Sequence, residues 1–77
     1  MEYNTFRGVF SRKSAVADDN GARNGCIVTW WNADGKHMNL VKRYKTYTRR
    51  SKRYVAFYGA QLRPLAIVPI SSILEVE

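Results

Sequence analysis

Cys26-Ile27-Val28-Thr29-Trp30-Trp31, then Asn32-Ala33-Asp34-Gly35, then Lys36 to Lys42, is the stretch that most restricts what this chain can become. A β-branched and aromatic run that meets a turn cluster and returns as a second run reads as a β-hairpin over 26–42. Asn and Asp can close the turn through side-chain hydrogen bonds, and Gly35 can take positive φ. The spacing therefore predicts a type I turn followed by a G1 bulge. In that register Trp30 faces Met38 and Val28 faces Leu40 on one apolar face, while Trp31 pairs with His37 and Thr29 with Asn39. Trp30 is then core and Trp31 outward. A plain two-residue Asp-Gly turn would exchange the faces and bury Trp31.

The rest of the chain has the same grain. No window long enough for a helix keeps a spacing of three and four, and the apolar residues fall in short runs between turn residues. Tyr3 to Phe10, with Phe6, Val9 and Phe10, reads as a bent or edge strand weakened by Gly8. Residues 11–25 are polar, with turn signals at Asp18-Asp19-Asn20-Gly21 and Asn24-Gly25, and read as a long loop or a loose hairpin. Residues 43–53 mix aromatic, basic and hydroxyl side chains with no strong core face, which predicts a strand end and an exposed basic loop. Arg53 to Tyr58 is a strand with Val55 and Phe57 on one side and Tyr54, Ala56 and Tyr58 on the other. Gly59-Ala60-Gln61 allows a turn, and Leu65 to Val68 is an apolar strand bounded by Pro64 and Pro69. Pro69 to Glu77 predicts a short helical turn, which Ser71 or Ser72 could cap, and a closing strand. Seventy-seven residues leave room for one small core, so residues 1–77 are expected to form a single all-β domain of five or six short antiparallel strands. Closing them into a small barrel would hide the sheet edges.

Charge narrows the partner. The net charge is +7, and between Gly35 and Leu74 there are nine Lys/Arg residues and no Asp or Glu. Tyr44, Tyr47, Tyr54 and Tyr58 run through the same stretch, which supplies cations for phosphate and flat rings for bases. A basic run can also be no more than a solvated face that aids solubility. Arg49, Arg50, Lys52 and Arg53 could neutralise successive phosphates. Lys42, Arg43, Lys45, Tyr47 and Tyr54 lie beside them, with Arg63 further along and Trp31 as an outward ring on the first hairpin. Nothing in the pattern offers a recognition helix for the major groove, so single-stranded nucleic acid fits better than duplex. The alternative is a protein-interaction module, a small inhibitor or adaptor, docking on an acidic or nucleic-acid-binding partner. Self-association through a sheet edge belongs to the same class.

Other chemistries lack their parts. One His, one Cys and scattered carboxylates do not assemble a catalytic centre, so no enzyme and no cofactor are expected. His37 has no second ligand for zinc, and none of the five glycines has a phosphate-loop spacing. Cys26 reads as a small hydrophobe. A single cysteine favours a reducing compartment, and no apolar stretch approaches the roughly 20 residues that span a bilayer, so a cytoplasmic protein with no membrane contact is expected.

From Cys26 onward the pattern resembles the WYL domain, a small SH3-like β-barrel fused to many bacterial regulators. The run Ile27 to Lys42 with the pair Lys42-Arg43 is similar to that domain's opening hairpin. Arg53-Tyr54-Val55-Ala56-Phe57-Tyr58 lies where the Trp-Tyr-Leu signature strand would be. Leu62-Arg63 and Ile70 to Val76 are similar to the family's segments beyond that strand, with Tyr54 and Arg63 at matching positions. Arg53 stands for the signature Trp, Val55 for the Leu, and Ser72 where the family usually has a basic residue. The resemblance implies an SH3-like barrel with a short helical turn near its C-terminus and a surface for nucleic-acid or nucleotide ligands. A generic SH3-like fold accounts for the strand pattern equally well. No DNA-reading helix-turn-helix precedes the hairpin, so a transcription-factor role is not expected.

Overall fold

The first element is a helix where the sequence pattern suggests a strand. The structure, a computed structural model, describes residues 1–14 and 24–77. Helix α1 (Tyr3–Lys13) takes in Ser11 to Lys13, whose polar character suggests a loop. The two turn signals around Asp18 and Asn24 are separated by this boundary: Asp18 to Gly21 lies outside the described residues, and Asn24-Gly25 leads into the first strand. Phe6 and Phe10 are four residues apart, so on a helix both rings leave the same face and both are buried. Their spacing outweighs Gly8, whose helical cost is about 1 kcal/mol. Arg12 and Lys13 occupy the last turn, where they complement the helix dipole, and Ser14 N donates to Phe10 O at 2.8 Å to close it.

Six strands follow among the described residues: β1 (Cys26–Asn32), β2 (Gly35–Val41), β3 (Arg43–Arg49), β4 (Lys52–Tyr58), β5 (Pro64–Pro69) and β6 (Ile73–Val76). They form two open antiparallel sheets of three strands, ordered β2-β1-β6 and β3-β4-β5. The protein is mostly β with one helix. Only Lys42 separates β2 from β3, and its backbone N–H donates to Tyr58 O at 2.8 Å, so the bend that joins the sheets is itself pinned. The 3-10 turn Ile70–Ser72 precedes β6, as expected, but neither serine caps it. The N-cap position is Pro69, and Ser71 and Ser72 lie inside the turn.

The core forms between the sheets and beneath α1. Phe6, Phe10, Cys26, Val28, Trp30, Val41, Val55, Phe57, Val68, Ile73 and Val76 make one buried cluster. Phe6 meets Tyr44 edge-on at 4.9 Å between ring centroids and Phe57 at 6.2 Å, and Phe10 meets Tyr44 at 4.9 Å. Each such pair adds about 0.5 to 1.5 kcal/mol beyond simple burial. Cys26 is buried, its thiol 3.6 Å from Phe10 O, and burial pushes its pKa up.

The first hairpin is present with its register shifted by one residue. Asn32 pairs with Gly35 across a two-residue loop, Ala33-Asp34, so Trp30 faces His37 and Val28 faces Asn39. Trp31 pairs with Lys36 and Thr29 with Met38. Trp30 is still the buried tryptophan and Trp31 the outward one. The shift instead sends Met38 and Leu40 to the outer face, because each one-residue slip turns every side chain of a strand over. The polar turn holds the shorter loop: Asn32 Oδ1 accepts from Ala33 N at 2.7 Å, and Asp34 Oδ1 lies 2.7 Å from His37 Nε2. That contact lowers the Asp34 pKa and orients the imidazole, which stacks on Trp30 at 5.7 Å.

The second hairpin replaces the expected basic loop. β3 runs through Arg49 and pairs along its whole length with β4, from Arg43 opposite Tyr58 to Arg49 opposite Lys52. Arg50 and Ser51 form the tip with φ of 52° and 64°, the two positive angles that a type I′ turn demands. Neither residue is the glycine or asparagine such a turn prefers. Ser51→Gly should stabilise the protein by up to about 1 kcal/mol, seen as a higher urea midpoint with an unchanged m-value.

Candidate functional site

Strand alternation sorts the basic segment onto two faces. Pairing places Arg43, Lys45, Tyr47 and Arg49 of β3 on the outer side of the second sheet, opposite Tyr58, Ala56, Tyr54 and Lys52 of β4. Ile67 of β5 continues that side next to Ala56. Tyr44, Val55, Phe57 and Val68 turn inward to the core. The outer face therefore carries four cations and three tyrosines. Successive outward residues of β3 stand about 6.8 Å apart along the strand.

Two of these cations lie over one ring. The Arg43 guanidinium lies 4.6 Å from the Tyr58 ring centroid, and the Lys45 ammonium lies 5.6 Å from it. Tyr58 is buried beneath them, while Tyr47 is 45% exposed. A hydrogen bond to Tyr58 pushes the Tyr47 hydroxyl pKa up, the charge of Tyr58 and slight burial adding to it and Lys45 opposing. Tyr47 is thus neutral at physiological pH and takes no positive charge away from the face. Small Ala56 leaves room for the two long tyrosines to reach each other. Among the described residues the ion pair is His37 with Asp34 in the first hairpin, and no carboxylate pairs with Arg43, Lys45, Arg49 or Lys52. Tyr47, Arg49, Tyr54 and Ile67 line a shallow depression of about 330 Å³.

Not every expected residue joins this face. Arg43, Lys45, Tyr47, Arg49, Lys52 and Tyr54 do, and Arg50 stands at the adjoining tip. Arg53 points to the other side, where its guanidinium lies 4.2 Å from the Tyr3 ring centroid and braces α1. Lys42 sits at the bend between the sheets, its ammonium 3.0 Å from Asn24 O. Arg63 is exposed in the segment between β4 and β5. Trp31 belongs to the outer side of the first sheet, 56% exposed, with Met38 at 67% and Leu40 at 42%. Tyr58, one of the rings expected in the basic stretch, joins the face, and Ile67 joins it without having been expected there. The alternation of Tyr54, Ala56 and Tyr58 is a sequence signal for the first, whereas Ile67 needs the β4–β5 pairing.

Among the described residues no group of three His, Cys, Asp or Glu is placed to hold a metal ion, and no helix is long and apolar enough to cross a membrane. No protein-family model, no curated protein and no solved structure matches this chain.

Proposed function

We propose that the protein is a non-enzymatic, cytoplasmic nucleic-acid-binding domain of SH3-like architecture, and that the outer face of β3-β4-β5 is its binding surface. The observation that carries this reading is a sheet face on which Arg43, Lys45, Arg49 and Lys52 alternate with Tyr47, Tyr54 and Tyr58 and, among the described residues, meet no carboxylate. The cations neutralise backbone phosphates, and an exposed ring such as Tyr47 stacks a base for about 1 to 3 kcal/mol. Single strands are favoured because their bases can splay onto a sheet, whereas duplex reading calls for a helix or ribbon in a groove. The strand order, with a 3-10 turn before a last strand that returns to the first, supports the SH3-like assignment. The WYL resemblance points to the same ligand class.

Titration of a fluorescent oligonucleotide against salt tests the reading. With four phosphates neutralised, the log-log slope should be about −2.8, which is roughly fiftyfold weaker binding between about 50 and 200 mM salt. Arg49→Ala should flatten that slope by about 0.7, and Tyr47→Ala should weaken binding with the slope unchanged. Absence of binding at low salt would sink the proposal.

Protein docking is a second reading, and a different observation favours it. Trp31, Met38 and Leu40 are exposed together on the outer side of the first sheet, and contiguous apolar exposure marks contact surfaces. Under that reading Trp31→Ala abolishes partner recovery and leaves oligonucleotide binding untouched.

A further inference from the structure

A second concavity lies outside the sheet face, in the groove between α1 and edge strand β3. It encloses about 290 Å³ and is lined by Arg7, Phe10, Ser11 and Ser14 from the helix and its end, and by Lys42, Arg43 and Tyr44 from the bend and β3. Arg7, Lys42 and Arg43 contribute to its walls from the helix, the bend and β3, and among the described residues no acidic side chain lines it. Phe10 and Tyr44 form an aromatic side, packed edge-on at 4.9 Å. Arg7 acts on the Tyr44 hydroxyl by charge alone, holding back a pKa that burial and Tyr3 push up. Arg43 belongs to both places: it lines this groove, and its guanidinium lies over Tyr58 on the sheet face.

We infer that this groove binds a phosphomonoester, the terminal phosphate of a nucleic-acid strand whose body lies on the β3-β4-β5 face. The inference rests on the proposed nucleic-acid reading for its polymer. A terminal phosphate differs from an internal one in two ways that suit the groove. It carries close to two negative charges at neutral pH, and it offers three oxygens that no second nucleotide shields. The fork-shaped guanidinium of Arg7 can grip such a group from the α1 side, the Arg43 guanidinium can meet it from β3 by swinging off the Tyr58 ring, and the Ser11 hydroxyl can donate to a remaining oxygen. Internal phosphates pass along the open sheet, where single cations suffice. A chain end can enter a groove that a continuing chain would have to thread.

Oligothymidylates of about ten nucleotides, bearing a 5′-phosphate, a 3′-phosphate or hydroxyls at both ends, separate this from general electrostatic binding. One phosphorylated end should bind on the order of tenfold tighter than the hydroxyl form. Arg7→Gln should abolish that preference while leaving the hydroxyl oligonucleotide within about twofold, and Arg7→Lys should restore part of it. Arg49→Ala should weaken all three oligonucleotides alike and keep the ratio. An unchanged melting temperature for each variant establishes that it is folded.

A parallel arm compares adenosine monophosphate with adenosine and follows the backbone amides of Arg7, Ser11 and Arg43 by NMR. Equal affinity for all three ends, or a preference that survives Arg7→Gln, overturns the inference while the sheet-face reading stands. If no oligonucleotide binds at low salt, the sheet-face reading falls and the monophosphate decides the groove. Shifts with the monophosphate but not with adenosine, lost in Arg7→Gln, support a phosphomonoester site filled by a free nucleotide. No shifts overturn it.

Discussion

Trp30→Ala is expected to cost about 3 to 5 kcal/mol, and in a domain this small that is a large share of the total stability. Trp30 is 4% exposed and packs on Phe57 at 5.1 Å between ring centroids, with His37 stacked on it. Truncation opens a cavity between the two sheets, and neither β1, pinned on both sides, nor α1 can collapse to fill it. Trp31→Ala, one residue away, should stay within about 0.5 kcal/mol, because that ring stands on the solvent side. Urea denaturation of the two variants, compared at equal m-values, measures the contrast directly. A large loss for Trp31→Ala with a small one for Trp30→Ala would mean that the faces of the first hairpin are reversed.

Gly25→Ala should be the most damaging glycine-to-alanine change among the described residues. Gly25 has a φ of +79°, which alone costs an L-residue about 1 to 2 kcal/mol. An added Cβ would also lie 2.6 Å from Val41 O and 3.2 Å from Val41 C, both backbone atoms at the buried end of β2. Val41 cannot retreat, since it is fully buried and pairs with Cys26 across the hairpin. The expected result is a thermal midpoint lowered by more than about 8 °C, the shift that roughly 1 to 2 kcal/mol produces at this chain length. Gly35→Ala provides the internal control. Gly35 also has a positive φ, of 123°, but nothing within 4 Å of a Cβ, so its variant carries backbone strain without a clash.

The strands are legible in the sequence wherever a local pattern has a strong local cause. Leu65 to Val68 between two prolines, the alternation of Val55 and Phe57 against Tyr54 and Tyr58, and the turn before β6 can each be read from a few residues. The helix cannot, because Gly8 and the β-prone Tyr3, Phe6, Val9 and Phe10 look like a strand until tertiary packing rewards the four-residue step between the phenylalanines. The hairpin register turns on whether Gly35 bulges or pairs, a choice made by side-chain contacts at Asp34 and His37. The basic run from Arg49 to Arg53 reads as one surface. Strand alternation splits it, and Arg53 goes to the helix side while Arg49 and Lys52 stay together. Arg7 and Ser11 are invisible as site residues from sequence, because the element carrying them reads as a strand and a loop.

The pairing of β6 with β1 also fixes when the molecule can become itself. Val76 and Ile73 complete the core by lying against Val28 and Trp30, so the layer that seals the tryptophan-bearing strand is assembled from distant parts of the sequence. The hairpins β1-β2 and β3-β4 can flicker into existence within about 1 to 10 μs, but neither can hold until that last strand arrives. On a ribosome the cationic hairpin therefore emerges well before the domain has a core to anchor it, and the cooperative folding step waits for Ile73 to Val76 to clear the exit tunnel.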